Sequence, residues 1–215
     1  MEKLDSLVLN IELTLISIIQ GVALYFLVEN SRTLILGRQY AAWPYIVTGL
    51  VIIFLFWSRS IIHSLTVIRW PLEFGHNFLY IACTLLEAIA FTEVGNPLAW
   101  FAVSAAYSVL IWLLFIWDLR MIRKRAREDR GPAARVLYSS VEKDQVANIR
   151  FLMPATLAFN LVAVAALHLW PEFFLQKGGH LIFVCFQLGA ALSYLLYGIK
   201  LFNRLSPSLR ESMMG

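Results

Sequence analysis

Six long apolar stretches, separated by short polar segments, dominate the pattern of residues along the chain. Each stretch is about 20 residues long, which is the length of helix that crosses the hydrocarbon core of a bilayer. The pattern therefore predicts an all-α, polytopic integral membrane protein with six transmembrane helices in a single domain, residues 1–215. The predicted spans are residues 7–28, 43–67, 78–94, 98–117, 151–170 and 181–202.

Breaks in the apolar pattern indicate how neighbouring spans are connected. The sequence Gly95-Asn96-Pro97 predicts a tight turn, so that the third and fourth spans form a helical hairpin. A polar, basic segment, residues 119–148, separates the fourth and fifth spans. Helix four can continue into this segment until Gly131-Pro132 breaks it, and scattered apolar positions beyond allow one further short helix.

Composition supports the membrane class and argues against an enzyme. Hydrophobic residues make up 60% of the chain, charged residues 15%, and the mean hydropathy is +0.69, so that little chain is left for a separate catalytic domain. The two cysteines lie in apolar runs, and the four histidines lie at different helix ends without a shared face. We therefore expect no cofactor, no metal site, no catalytic residue and no nucleic-acid partner.

Basic residues are distributed unequally between the two predicted sides of the membrane. One side, which carries both termini and residues 119–148, collects most of them, whereas the other has only Arg32, Arg38 and Lys177. By the positive-inside rule both termini should be cytoplasmic. The cluster from Arg120 to Arg135 is expected to contact anionic lipid, and docking of a partner protein there is the alternative.

Ionisable residues inside predicted spans are the best pointers to function, since each is costly in hydrocarbon unless it faces protein or water. Glu12 on helix one lies roughly 12 Å from the cytoplasmic end, and on helix two Arg59 and His63 lie roughly 15 and 9 Å from Arg69. These similar depths predict that Glu12 pairs with Arg59, with His63 or with both. The pair would either serve transport or only lock the helices together.

Further polar residues lie near the predicted midplane: Gln20, Glu87, Asn160 and Gln187. The amides could line a wet cavity or bond across helix interfaces. A lone carboxylate at this depth is expected to be protonated or to face water, which makes Glu87, with Gln20, a candidate ion or proton site.

Helix one carries a stripe of branched apolar and small hydroxyl residues at steps of three and four: Ile11, Thr14, Leu15 and Ile18. Copies of such a helix around a symmetry axis could line a pore with an apolar constriction. Ordinary helix packing is the alternative interpretation.

This layout resembles the six-helix leak potassium channels of endolysosomes and bacteria, whose first helix opens with a Phe-Ser-Asp motif. Residues 4–15 fall into similar register, with Ile11 and Thr14 matching, although the signature itself is replaced. Trp57 and Asn77 stand at nearly the family's Trp-to-Asn separation, and Ser60 occupies the position of the family's histidine.

The resemblance implies a homotetrameric potassium-like leak channel, constricted by the branched residues of helix one. It also implies an inner polar network that holds helix one in register. Rival hypotheses are a membrane scaffold or effector subunit that works through a partner protein, and a proton-coupled carrier that uses Glu87. The single-repeat length favours the bacterial inner membrane. The expected network residues are Asp5, Ser6, Glu12, Trp57, Arg59, His63 and Asn77.

Overall fold

In the computed structural model of the protein, residues 2–62, 73–128 and 131–214 are described, and within them the chain is helical with no strand. Six stretches are long and apolar enough to cross a membrane, which confirms the predicted all-α class and the six candidate spans. The helices are α1 (Glu2–Leu36), α2 (Trp43–Ile62), α3 (Phe74–Thr92), α4 (Pro97–Glu128), α5 (Pro132–Ala147), α6 (Met153–Leu169) and α7 (His180–Met214).

Local sequence explains several of the helix boundaries. Pro97 begins α4, and the Asn96 side-chain oxygen accepts a hydrogen bond of 3.2 Å from the Ala99 amide, so that the predicted tight turn is also a helix cap. Pro132 follows Gly131 at the start of α5. Beyond α1 the chain reverses at Gly37 and at Arg38, whose φ is 54°.

The bundle has two ends with different composition. At what we call the basic end, α1, α3 and α6 begin and α2, α4 and α7 end; at the far end these directions are reversed. The far half is filled by aromatic residues, with the rings of Tyr45 and Trp100 edge to face at 5.4 Å and Phe101 close by. In the half nearer the basic end, Phe56 and Tyr80 stack at 4.9 Å.

The basic segment 119–148 is an ordered helical pair. Helix α4 continues to Glu128, and α5 folds back against α4 and α7. A small apolar cluster with Ile122 and Leu137 at its centre holds the two helices together. Residues Asn148–Leu152 form a π-helical turn that leads from α5 into α6, so that the fifth span begins without a loop.

Candidate functional site

A cavity of about 330 Å³ lies inside the bundle, between α1, α2, α3, α4, α6 and α7. Most of its wall is apolar, and its polar side chains form two groups. The group nearer the basic end contains Arg59, Ser60, His76, Asn77 and Asp118, and the group nearer the middle contains Ser104, Ser108, Asn160 and Gln187. A concave, largely apolar site with a few converging polar groups is typical of a ligand or substrate site.

The middle group connects three helices through hydrogen bonds. The Asn160 amide donates to the Ser108 hydroxyl at 3.3 Å, and the Gln187 amide donates to the Asn160 carbonyl oxygen at 3.5 Å. The indole of Trp100, which is fully buried, donates to Gln187 at 2.9 Å. The amides of Asn160 and Gln187 therefore bond across helix interfaces, and both also line the cavity.

Arg59 belongs to the group nearer the basic end and makes several polar contacts with other helices. Its guanidinium lies 3.2 Å from the carboxylate of Asp144 on α5 and donates to the side-chain oxygen of Gln145 at 3.3 Å. It also donates to the hydroxyl of Tyr194, and the Tyr197 hydroxyl donates to Asp144 at 2.8 Å. These contacts join α2, α5 and α7, with the buried charge of Arg59 balanced by Asp144.

Among the described residues, Arg59 has a partner that depth along the helices did not predict. Asp144 of α5 lies against it, because α5 folds back onto the bundle. The predicted partners of Arg59 were Glu12 and His63. His63 and the side chains of Glu12, Asp5 and Ser6 lie outside the described residues.

His76 and Asp118, which line the same part of the cavity as Arg59, form a second polar contact. The imidazole of His76 on α3 is 3.1 Å from the carboxylate of Asp118 on α4, and both side chains are largely buried. Asn77, next to His76, also lines the cavity, whereas Trp57 does not and is partly exposed. Of the predicted network, Arg59 and Asn77 are thus brought to one cavity.

Sequence reasoning missed Asp118, His76, Asp144 and Tyr194. Asp118 lies just before the polar, basic segment 119–148 and Asp144 lies within it, yet both are buried. The signal in the sequence was that each of these acids lies close to an apolar run. An acid that becomes buried there needs a cationic or hydrogen-bonding partner.

The candidate ion or proton site brings its two residues together at the interface of α1 and α3. The Gln20 amide donates to the Glu87 carboxylate at 3.3 Å and to the Thr84 hydroxyl at 3.5 Å. Glu87 is only 1% exposed, and one oxygen each of Glu87 and Gln20 is buried without a hydrogen-bond partner among the described residues. Within the same residues no cluster of three or more metal-ligating side chains occurs.

The four residues of the predicted stripe on α1 do not all face the same way. Ile11 is 48% exposed and Ile18 is 61% exposed, and Thr14 lies between them on the same open face. Leu15 instead lies partly buried in the wall of the internal cavity. Three of the four predicted constriction residues therefore share the outer face of α1.

Within the described residues, fold and site together define an all-helical bundle with six candidate membrane spans and an interior cavity whose largely apolar wall carries two groups of polar side chains. No protein-family model matches the chain, and comparisons with curated proteins and with solved structures gave no match.

Proposed function

We propose that the protein is a homo-oligomeric, tetrameric channel for monovalent cations in the cell membrane, with α1 of each copy lining a central pore. The observation that supports it is the outer face of α1, where Ile11, Thr14 and Ile18 turn away from the rest of the chain. In an assembly with cyclic symmetry, a ring of branched apolar side chains forms a constriction that gates by dewetting.

The choice of ion and of membrane rests on the resemblance to leak potassium channels. In this proposal potassium is the permeant ion, both termini and the basic end face the cytoplasm, and the membrane is a bacterial inner membrane. Gln20 then lies on the side of α1 that faces the bundle, and its hydrogen bond to Glu87 of α3 fixes α1 against α3.

Flux from liposomes that contain the purified protein tests the proposal. Ile11→Asn and Ile18→Asn should each increase potassium flux, because a polar side chain wets an apolar constriction. The matched control is Ile182→Asn, which is 63% exposed but lies on α7. If flux is absent from a tetrameric sample, or if Ile182→Asn has the same effect as Ile18→Asn, the pore is not formed by α1.

A second candidate function is that of a scaffold protein, which binds lipid or a partner protein through its basic end. It is favoured by the finding that α4 and α5 form an ordered, packed helical pair at this end. One surface there is lined by four basic residues and one acid: Arg120, Arg123, Lys124, Arg127 and Glu128. Of these, Arg123 also pairs with Glu142 at 2.7 Å. A fixed group of cations attracts anionic lipid or an acidic partner protein, by about 1 kcal/mol for each basic residue.

Lipid-dependent stability tests this second candidate. Anionic lipid added to the detergent-solubilised protein should raise its melting temperature more than zwitterionic lipid does, and 0.5 M salt should weaken the difference. Replacing Arg120, Lys124 and Arg127 together by Gln should abolish it. Replacing Arg32, Arg38 and Lys177 by Gln, which removes the same charge elsewhere, should preserve it.

A further inference from the structure

The internal cavity opens on the flank of the bundle, between α6 and α7. Ala155, Phe186 and Ala190 line the cavity and are also exposed, and Phe186 is 64% exposed. The two helices make most of their contacts with other helices, α6 with α4 and α7 with α2. Both belong to stretches that are long and apolar enough to cross a membrane. A molecule dissolved in lipid can therefore reach the cavity from this flank.

The wall of the cavity suits a ligand that contains a ring. Phe159 and Phe186 stack at 5.1 Å beside the opening. In the buried part of the wall, Phe56 stacks on Tyr80 at 4.9 Å and meets Tyr107 edge to face at 6.3 Å. Aromatic rings attract one another in such stacked and edge-to-face arrangements beyond the gain from burial alone. A flat, ring-containing molecule between these side chains extends the same pattern of contacts.

The charges in the wall favour an uncharged ligand. Among the described residues, the lining side chains that carry charge or gain it near neutral pH are Arg59, His76 and Asp118, all near the basic end. Arg59 lies 3.2 Å from Asp144 and also interacts electrostatically with Asp118. Asp118 in turn lies 3.1 Å from His76. Because these groups already compensate one another, an ion of either sign would leave water for a largely apolar cavity without a counter-charge of its own.

One hydrogen-bond donor in the middle of the wall is available to a ligand. The side-chain oxygen of Gln187 accepts the Trp100 indole at 2.9 Å, and its amide donates to Asn160 at 3.5 Å. A primary amide has two N–H bonds, and within the described residues Gln187 uses one of them. Gln187 lines the cavity next to Phe186, which lies at the opening. Its second N–H bond can therefore donate to an oxygen of a ligand that lies among the rings.

We infer that the cavity binds an uncharged, lipid-soluble compound with a ring and a carbonyl group, which enters between α6 and α7. The ring lies against the aromatic wall, and the carbonyl oxygen accepts a hydrogen bond from Gln187. The volume of about 330 Å³ limits the ligand to a small molecule. The site lies within one copy of the chain and does not depend on the proposed pore.

Equilibrium binding of tritiated benzophenone, an uncharged aromatic ketone, to the purified full chain in detergent tests the inference. Diphenylmethane has a methylene group in place of the carbonyl group. At equal concentrations in the micelles it should compete about three- to tenfold more weakly than unlabelled benzophenone, because it cannot accept the hydrogen bond. Equal competition by diphenylmethane would overturn the inference in favour of a purely apolar site, and the absence of saturable binding would also overturn it.

Three substituted benzophenones of similar size test the preference for an uncharged ligand. Para-isopropylbenzophenone is neutral, para-benzoylbenzoate is an anion, and (para-benzoylbenzyl)trimethylammonium is a cation. Both ions should compete at least about tenfold more weakly than the isopropyl compound, because neither finds a counter-charge in the cavity. If either ion competes as well as the isopropyl compound, the site does not select an uncharged ligand and the inference is wrong.

Irradiation of the bound benzophenone locates the site, because the excited ketone forms a covalent bond with a nearby C–H group. Mass spectrometry should find the label on the cavity-lining residues of α6 and α7, between Ala155 and Asn160 and between Phe186 and Ala190. Excess unlabelled benzophenone should prevent this labelling. Labelling confined to helix faces outside the cavity wall would contradict the inference.

Two variants test the opening and the hydrogen bond separately. Ala190→Trp narrows the opening and should slow or abolish binding, whereas Leu192→Trp, on an exposed part of α7 outside the cavity wall, should bind normally. Gln187→Leu should weaken the binding of benzophenone about three- to tenfold but leave that of tritiated diphenylmethane unchanged, since only the ketone uses the amide. A general distortion of the cavity would weaken both compounds alike. If it does so, or if Ala190→Trp binds like Leu192→Trp, the inferred site is wrong.

Discussion

The guanidinium of Arg59 on α2 lies 3.2 Å from the carboxylate of Asp144 on α5, although 85 residues separate them. Tyr194 accepts a hydrogen bond from Arg59, and Tyr197 donates one to Asp144, so that α7 holds both members of the pair. The ion pair therefore fixes α5, which packs against α4 and α7, to the helices that surround the cavity.

Removing Arg59 should destabilise the protein strongly. Arg59→Met leaves Asp144 buried without its cation, which costs about 3–5 kcal/mol. Thermal unfolding in detergent, followed by tryptophan fluorescence, measures the loss. The double variant Arg59→Met/Asp144→Leu should be less destabilised than the single one, because a buried ion pair can be replaced by apolar side chains at little cost.

An exposed ion pair supplies the control for this prediction. Arg123 and Glu142 are 2.7 Å apart, but their side chains are 52% and 35% exposed. Arg123→Gln should therefore change stability by less than about 1 kcal/mol. If Arg59→Met is as mild as Arg123→Gln, Asp144 is compensated by other groups.

Gly49 allows close packing of α2 against α1 and α3. A Cβ atom there would lie 2.9 Å from the Phe91 ring and 3.0 Å from Leu27, and both side chains are buried. Gly49→Ala should cost about 1–3 kcal/mol through overpacking. Gly189→Ala on α7, where a Cβ meets nothing within 4 Å, should be neutral or stabilising by up to about 1 kcal/mol. Equal melting temperatures for the two variants would contradict the packing described here.

Tyr45 links the start of α2 to the start of α7 at the far end. Its hydroxyl and the Nδ1 atom of His180 share a hydrogen bond of 2.9 Å in a buried position. Tyr45→Phe should lower the unfolding free energy by about 1–2 kcal/mol, because the His180 nitrogen loses its partner. Tyr25→Phe, at an exposed position on α1, should leave it unchanged, and a similar loss there would show that the effect is not due to the hydrogen bond.

Substitutions at Glu87 separate a structural role from an ion-binding role. Glu87→Gln keeps an acceptor for the Gln20 amide and should fold with near-normal stability. Glu87→Leu leaves that amide with only its longer hydrogen bond to Thr84, at 3.5 Å, and should cost about 1–3 kcal/mol. If Glu87 binds the permeant ion or a proton, the stable Glu87→Gln variant should still lose flux or its response to pH. Glu93→Gln, at the end of α3, is the matched control. Normal flux in Glu87→Gln would restrict Glu87 to packing.

The sequence was sufficient for the elements that depend on local chemistry. Runs of about 20 apolar residues predict the candidate spans, and Gly95-Asn96-Pro97 predicts the turn that the Asn96 cap stabilises. Depth along the helices also predicts that Gln20 and Glu87 lie near the midplane, and the packing of α1 against α3 joins them by a hydrogen bond of 3.3 Å.

Depth alone did not identify Asp144 as a partner of Arg59, because periodicity shows which side chains share a helix face but not which helix will cover that face. By itself the sequence determined the number, length and chemistry of the apolar helices, since hydropathy and helix rise act residue by residue. Only the tertiary structure decided that α5 folds back to bring Asp144 to Arg59, that Leu15 faces the cavity while Ile11 and Ile18 face outward, and that His76 meets Asp118. Those choices follow from packing between helices far apart in the chain, where burial of each charge depends on the partner that packing supplies.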